Sequence, residues 1–278
     1  MMIPTLKELQ SHTDALPSLP EIVRHLMQSL DDDHADVDTL VQHINSDPAI
    51  VARLLAAANS SAFGLSTRIA SVREAFLVLG VNRVVIIVLA TALVHRFDTQ
   101  MPEAYARLFW QHTLGVATCA CVLAEQSGVD PAIAFTGGLL HDTGQLLMRA
   151  AAPVAYASAL RIRELDDWSI LTAETKVFGF DHAAAGGILT KAWKMQPGFS
   201  EAILTHHDPD KCSSDLANII HVSEVLSHAL DLGEQSNNLV PDLSDRACAA
   251  LDVSWPNFEV RFAEIEARYD GIRIELGI

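Results

Sequence analysis

Positive charge is scarce in this chain. Its 19 lysines and arginines face 35 aspartates and glutamates, for a formal net charge of −16. A surface of that sign repels phosphate backbones, and no Lys/Arg cluster offsets it locally, so nucleic-acid binding is not expected. Cysteine is also sparse. Cys119, Cys121, Cys212 and Cys248 form no CxxC pair and no framework spacing, which excludes a disulfide scaffold and a Cys-only zinc site. Long apolar runs are missing too: the longest, Val84 to Val94 (VVIIVLATALV), falls well short of the ~20 residues that span a bilayer. The opening MMIPTLKELQSHTDALPSLP has neither the basic start nor the apolar core of a secretory signal, so no membrane association and a cytoplasmic location are expected. Alternating, period-two apolar runs with hairpin turns are absent, which argues against a β-protein.

Half the residues are apolar, enough for one large core or two smaller ones, and they recur at three- and four-residue intervals almost everywhere. The fold class predicted is all-α. Helices are expected over 20–30, 37–46, 48–59, 72–79, 82–96, 103–127, 131–150, 153–164, 169–178, 182–195, 198–207, 214–232, 243–252 and 256–270. Punctuation agrees: Asp47-Pro48 and Asp130-Pro131 read as N-cap plus first-turn proline, Ser71 to Glu74 as a capping box, and Gly80 and Gly128 as helix stops. Asn59-Ser60-Ser61 with Gly64 reads as a helix end and turn. Periodicity breaks at Arg96 to Pro102, dividing the chain into an N-terminal helical region, 1–98, and a second, 99–278, that share an extensive interface.

Twelve histidines stand out less by number than by setting. His112 lies mid-helix in FWQHTLGVA, and His141-Asp142 follow the apolar GGLL. His182 opens DHAAAGGILTKAW, and His206-His207 close FSEAILTHHD. His221, Glu224 and His228 share one helix face by their i, i+3, i+7 spacing. Isolated histidines such as His12, His25, His34, His43 and His95 read as solvated or core-satisfied. Each clustered one could be satisfied in the same way, but several helices offering ligand types to one core point to a shared site. Neighbours on a helix diverge by about 100°, so a His-Asp or His-His doublet reaches two ions, or one ion and its solvent. That favours a centre of one or two divalent ions among Fe, Mn, Zn and Ni, which imidazole and carboxylate suit without thiolate. A metal so held lowers the pKa of bound water, the nucleophile of phosphoester hydrolysis. The pairs Gly137-Gly138 and Gly186-Gly187 give up helix propensity for close helix approach beside the doublets.

The ligand order resembles that of the HD superfamily of metal-dependent phosphohydrolases: a first His, a His-Asp doublet, further histidines and a final acid. His112, His141, Asp142, His182, His206 and His207 follow it, with Asp142 the candidate catalytic residue. LPSLPEIVRHLMQSL, INSDPAIVARLLAAANSSAFG and IASVREAFLVLGVNRVVIIVLA look like the HDOD family, the HD-related output domain of bacterial signalling proteins. That resemblance covers about residues 14 to 230; residues 231–278 carry no recognisable motif. It implies a two-lobed all-α fold and a role in two-component or cyclic-dinucleotide signalling, in a family whose members are commonly regarded as lacking hydrolase activity. Two departures bear on chemistry. Gln145 stands where active HD enzymes often carry a phosphate-binding lysine, and the family's final aspartate falls on Glu224, one methylene longer. The related HD-GYP phosphodiesterases have a Gly-Tyr-Pro loop where this chain reads DPDKCSSD, although Glu174 lies eight residues before His182 as a ligand glutamate does there.

Two functions remain. One is a signalling protein acting through a protein partner or a small phosphorylated ligand, with or without a bound metal. The other is a phosphohydrolase acting on a nucleotide or other phosphoester.

Overall fold

The structure is a computed structural model, and it describes residues 3–29, 37–59, 68–98, 101–233, 240–252, 258–276 and 278. Among them there are helices and no strands, in the order α1 (Leu6–Leu9), a 3-10 turn (Gln10–Ala15), α2 (Glu21–Ser29), α3 (Val37–Asn45), α4 (Pro48–Ala58), α5 (Val72–Leu79) and α6 (Val81–Asp98). Then follow α7 (Glu103–Ser127), α8 (Pro131–Leu140), α9 (Thr143–Ala151), α10 (Pro153–Asp166), α11 (Ile170–Phe178), α12 (His182–Ala192) and α13 (Pro197–Thr205). The last are α14 (Asp215–Ala229), α15 (Asp245–Ala250) and α16 (Phe262–Leu276). The expected motif at Ser60, Ser61 and Gly64, the interrupting residues 99–100, His34 and the side chain of His95 lie outside the described residues.

Caps fall where the sequence places them. Asp47 Oδ1 accepts from the amides of Ala49 and Ile50, Asp130 Oδ1 from those of Ala132 and Ile133, and the α5 and α7 helices stop at Gly80 and Gly128 with φ of 81° and 77°. The capping box at α5 is displaced by one residue: Ser71 Oγ accepts from Glu74 N, but the Glu74 carboxylate reaches back to the amide of Ala70.

Every residue from Val84 to Val94 is buried, so the middle of α6 is almost entirely apolar because it is covered all round. Helices α2, α4, α5 and α8 pack against it. In the second half α7 is the central element, flanked by α8, α14 and α16, while α9 and α13 pack on α12. A single hydrophobic core runs through both halves. The chain ends cross between them: residues 6–15 pack against α9 and α12, and α16 reaches α4 and α6. No helix among the described residues is long and apolar enough to cross a membrane.

One expected helix is corrected. Instead of a continuous 131–150, α8 ends at Leu140 and α9 begins at Thr143, with His141-Asp142 in the break. Asp142 takes φ −95°, ψ 4°, off the helical basin, and the His141 ring bonds back to Gly138 O at 2.6 Å. Helix α1 and the 3-10 turn after it, before the first expected helix, are not among those expected; elsewhere the boundaries shift by a few residues, most at the C-terminus, where the expected 256–270 is a 3-10 turn at Glu259–Arg261 followed by α16.

Candidate metal centre

The break between α8 and α9 aims the doublet two ways. His141 turns toward α7 and α14, and its Nε2 lies 2.8 Å from Glu224 Oε2, which is itself 3.5 Å from His112 Nε2. Asp142 turns toward α12, its Oδ1 2.9 Å from His182 Nε2, while its Oδ2 lies 3.5 Å from His112 Nε2. His207 Nε2 sits 2.8 Å from His182 Nε2, and the His206 ring packs between those of His141 and His182, at 5.1 and 5.6 Å. All seven residues singled out in the sequence thus come together, as two groups: Asp142, His182, His206 and His207, and His112, His141 and Glu224. Within each group the ligand atoms lie within 4.8 Å of one another. The His-Asp doublet spans the groups; the His-His doublet serves one.

Close helix approach makes this possible. A Cβ on Gly138 would lie 2.6 Å from Ala117 Cα on α7, and one on Gly144 would overlap the His182 carbonyl. Glycine at both positions lets α8 touch α7 and α9 touch α12 backbone to backbone.

Three imidazoles are oriented by their other nitrogen. His141 Nδ1 donates to Gly138 O, His206 Nδ1 to Ile203 O at 2.7 Å, and His182 Nδ1 to Glu174 Oε2 at 2.7 Å. A carbonyl can only accept, so Nδ1 carries the proton in the first two, which leaves Nε2 as the atom facing the site: a lone pair on neutral His206, and on His141 one that a metal would gain by displacing the Nε2 proton. The interior is unsatisfied without a cation. His206 Nε2, His141 Nε2 and Glu224 Oε2 are buried with no hydrogen-bond partner, and the 2.8 Å approach of the last two lacks the angle of a hydrogen bond. Atoms converging on a common point in this way fit a metal ion better than they fit one another.

Charge tells the same story. Burial opposes ionisation of Asp142 and Glu224, but the surrounding imidazoles hold both carboxyls well below their ordinary range. Burial likewise opposes protonation of His141, yet Asp142 and Glu224 take it up to about 9, and Glu174 and Asp142 raise His182 well above its usual value. His206 is driven down to about 3, and His207 falls as well, by burial and by their charged neighbours. Without a metal the site holds its own cations; with one, the same carboxylates are free for it.

Several residues noted in the sequence take roles around the centre that their spacing did not reveal. Glu174, considered as a ligand by its spacing, instead receives the His182 amide and ring on Oε2 and so orients that ring. Gln145 donates to Asp142 Oδ2 at 2.8 Å and accepts from the Tyr156 hydroxyl at 3.0 Å and the Tyr105 hydroxyl at 3.4 Å. His221, expected on one face with Glu224 and His228, points away: its Nδ1 donates to His206 O and its Nε2 accepts from Ser244 N. Arg246 joins that clamp through the carbonyls of Pro209 and Cys212. Only His228, four residues beyond Glu224 on α14, was visible as a pattern and is at the centre, 3.3 Å from Glu224 Oε1.

The family profile of the HDOD domain matches residues 16–209. Among solved structures, an HDOD domain protein of unknown function from Geobacter sulfurreducens superposes with a TM-score of 0.82 at 23% identity, covering 96% of both chains. A protein from Shewanella amazonensis, provisionally named a phosphohydrolase, gives 0.76 at 23%, covering 96% of this chain and 97% of that one. A provisionally named signal transduction protein from Marinobacter aquaeolei gives 0.76 at 20%, covering all of this chain and 62% of that one. At these identities the likeness is one of fold. Among curated proteins, ribonuclease Y of Geobacter sulfurreducens is 26% identical over 126 residues, 45% of this chain and 19% of that protein. The chain therefore spans about a fifth of the curated relatives it matches.

Proposed function

The chain belongs to the HDOD family, and from that premise we propose that it is a bacterial, cytoplasmic signal-transduction protein whose HD-like half carries a two-ion His/carboxylate centre and binds a protein partner or a small phosphorylated ligand. In this reading residues 1–98 form the regulatory half and 99–278 the metal-holding half. His112, His141 and Glu224 hold one ion; His182, His206 and His207 hold the other; Asp142 lies between. Nitrogen and oxygen donors without thiolate suit Fe, Mn, Zn or Ni.

The observation that carries the signalling reading is the neutral network at Gln145. Where an active HD enzyme often has a lysine to receive phosphate, this chain has an amide already bonded to Asp142 and locked by two tyrosine hydroxyls. Burial pushes the Tyr105 hydroxyl up to about 12, so it stays neutral as well. The network steadies Asp142 and adds no positive charge for a phosphoester.

A second reading, metal-dependent phosphohydrolase, is favoured by one observation: all seven candidate ligand residues converge, and Asp142 lies 2.9 Å from His182 and 3.5 Å from His112. A bound ion there would supply an activated water near neutral pH; Asp142 would orient it.

Elemental analysis of protein prepared without chelators, beside the His141→Ala/Asp142→Ala variant, tests the centre. One or two equivalents of a transition metal, lost in the variant, support it, and no metal after reconstitution would sink it. Phosphatase and phosphodiesterase screens on the loaded protein then separate the readings. Signalling predicts no turnover in either protein; turnover abolished in a still-folded variant establishes the hydrolase.

A further inference from the structure

We infer that His228 positions the ligand Glu224, and that this contact is what accommodates a glutamate at the position of the family's aspartate. The inference rests on the metal centre proposed above. Glu224 has one more rotatable bond than an aspartate, so its carboxylate needs a second anchor to present one oxygen steadily. The structure divides the two oxygens: Oε2 faces His141 at 2.8 Å and His112 at 3.5 Å, while Oε1 faces His228 Nε2 at 3.3 Å, a polar contact that lacks hydrogen-bond alignment in this structure. The i, i+4 spacing on α14 stacks the two side chains on one face. The His228 ring is itself held edge-on against His112, with centroids 5.4 Å apart.

The surroundings keep His228 in place. Just beyond it the chain leaves α14 and returns to α7: Leu232 N donates to Ser227 O, and Gly233, at φ 95°, lies so close that an added Cβ would be 3.0 Å from Gln111 C and 3.1 Å from His112 N. On the same stretch a Cβ at Gly115 would be 2.6 Å from Ser227 Oγ and 2.9 Å from Leu232 Cβ. The end of α14 is thus pinned to the helix that carries His112, and a ring fixed on that end can fix the carboxylate beside it.

Partners that orient ligating carboxylates typically account for 10–100-fold in metal affinity. Zinc affinity of the full chain, measured by competition with a chromophoric chelator, is the test. His228→Ala should weaken one of two zinc ions 10–100-fold and leave the other unchanged; His228→Gln, which keeps an N–H donor at similar reach, should restore most of the loss. In a Glu224→Asp background the shorter side chain no longer reaches His228, so adding His228→Ala should cost less than about twofold. Unchanged zinc affinity in His228→Ala, with wild type binding normally, overturns the inference alone. Failure of His228→Gln to rescue, together with a changed visible spectrum of the cobalt(II)-loaded variants, also overturns it, by making His228 a ligand itself. If the wild type binds no zinc, the metal centre and this inference fall together.

Discussion

Replacing Gly144 by alanine tests the packing on which the centre depends. Gly144 sits two residues after Asp142, where α9 crosses the start of α12. An added Cβ would overlap the carbonyl oxygen of His182, lie 2.6 Å from Gly186 N and 2.8 Å from His182 C. All three are backbone atoms, so no side chain can swing aside; the helices themselves must separate, by on the order of 1 Å in a close-packed interior. Overpacking of this kind costs about 1–3 kcal/mol or more, and rigid neighbours place this case at or above the upper end. The shift also has a direction. It drives His182 away from Asp142, whose Oδ1 is 2.9 Å from His182 Nε2 in the native packing, so the two would no longer converge on one ion. Urea denaturation of metal-free protein should show a loss of about 3 kcal/mol or more, and reconstitution should yield one fewer metal equivalent. Gly198→Ala is the control: nothing lies within 4 Å of a Cβ there, and it should be neutral or stabilise by about 0.4–1 kcal/mol. A Gly144→Ala protein as stable as wild type, with full metal, would refute the close crossing of α9 and α12.

Other outcomes follow from the same geometry. His141 is held protonated up to about 9 by Asp142 and Glu224, and His182 is raised likewise, so binding an ion to neutral imidazoles expels protons; below about pH 9 zinc affinity should rise with pH by one to two log units per unit, and a flat profile would contradict this. For the metal-free protein the sign reverses, because a raised histidine pKa stabilises the fold below the unfolded value of ~6.5 and that contribution is lost as pH rises through about 9; a denaturation series across that window measures it. His221→Ala strands the carbonyl of His206 and the amide of Ser244, and should cost about 2–4 kcal/mol in urea denaturation. Gln145→Lys places a cation beside Asp142 and should raise the affinity of the metal-loaded protein for inorganic phosphate at least about tenfold by calorimetry, consistent with a charge-assisted bond of about 1.5–3 kcal/mol.

Much of this architecture was legible because its cause is local. Helix period, the Asp47 and Asp130 caps and the glycine stops depend on residues a few positions apart, and the histidines stood out against apolar helices. What stayed hidden works over long range or through backbone. The docking of residues 6–15 on α9 and α12 has no local pattern. The clamp formed by Ser244 and Arg246 on Asp210, Pro209 and Cys212 uses main-chain carbonyls in part, which any residue supplies, so residues 240–250 carried no motif although they steady the loop after the His doublet. The break at His141 was hidden for a third reason: periodicity continues across it, and only the return of the ring to Gly138 and the α9–α12 crossing show why the helix must stop.

That continuity limits how the two halves can communicate. The centre draws its side chains from α7, the end of α8, α12, α14 and the residues after α13, and α8 packs directly on α6, the buried axis of the N-terminal half. Since one core includes both, an ion that binds only the folded chain stabilises all of it, by about 2.7 kcal/mol at a hundred times its dissociation constant. Metal should therefore raise a single unfolding transition rather than one of two. The converse is more demanding. A partner docked on the N-terminal half changes metal affinity only if it favours one arrangement of α6 on α8 over another, and whatever factor it imposes on the ion, the ion must impose on it. Measuring partner affinity with and without metal is thus equivalent to measuring that rearrangement, and equal affinities would mean that the two halves share a core without sharing a signal.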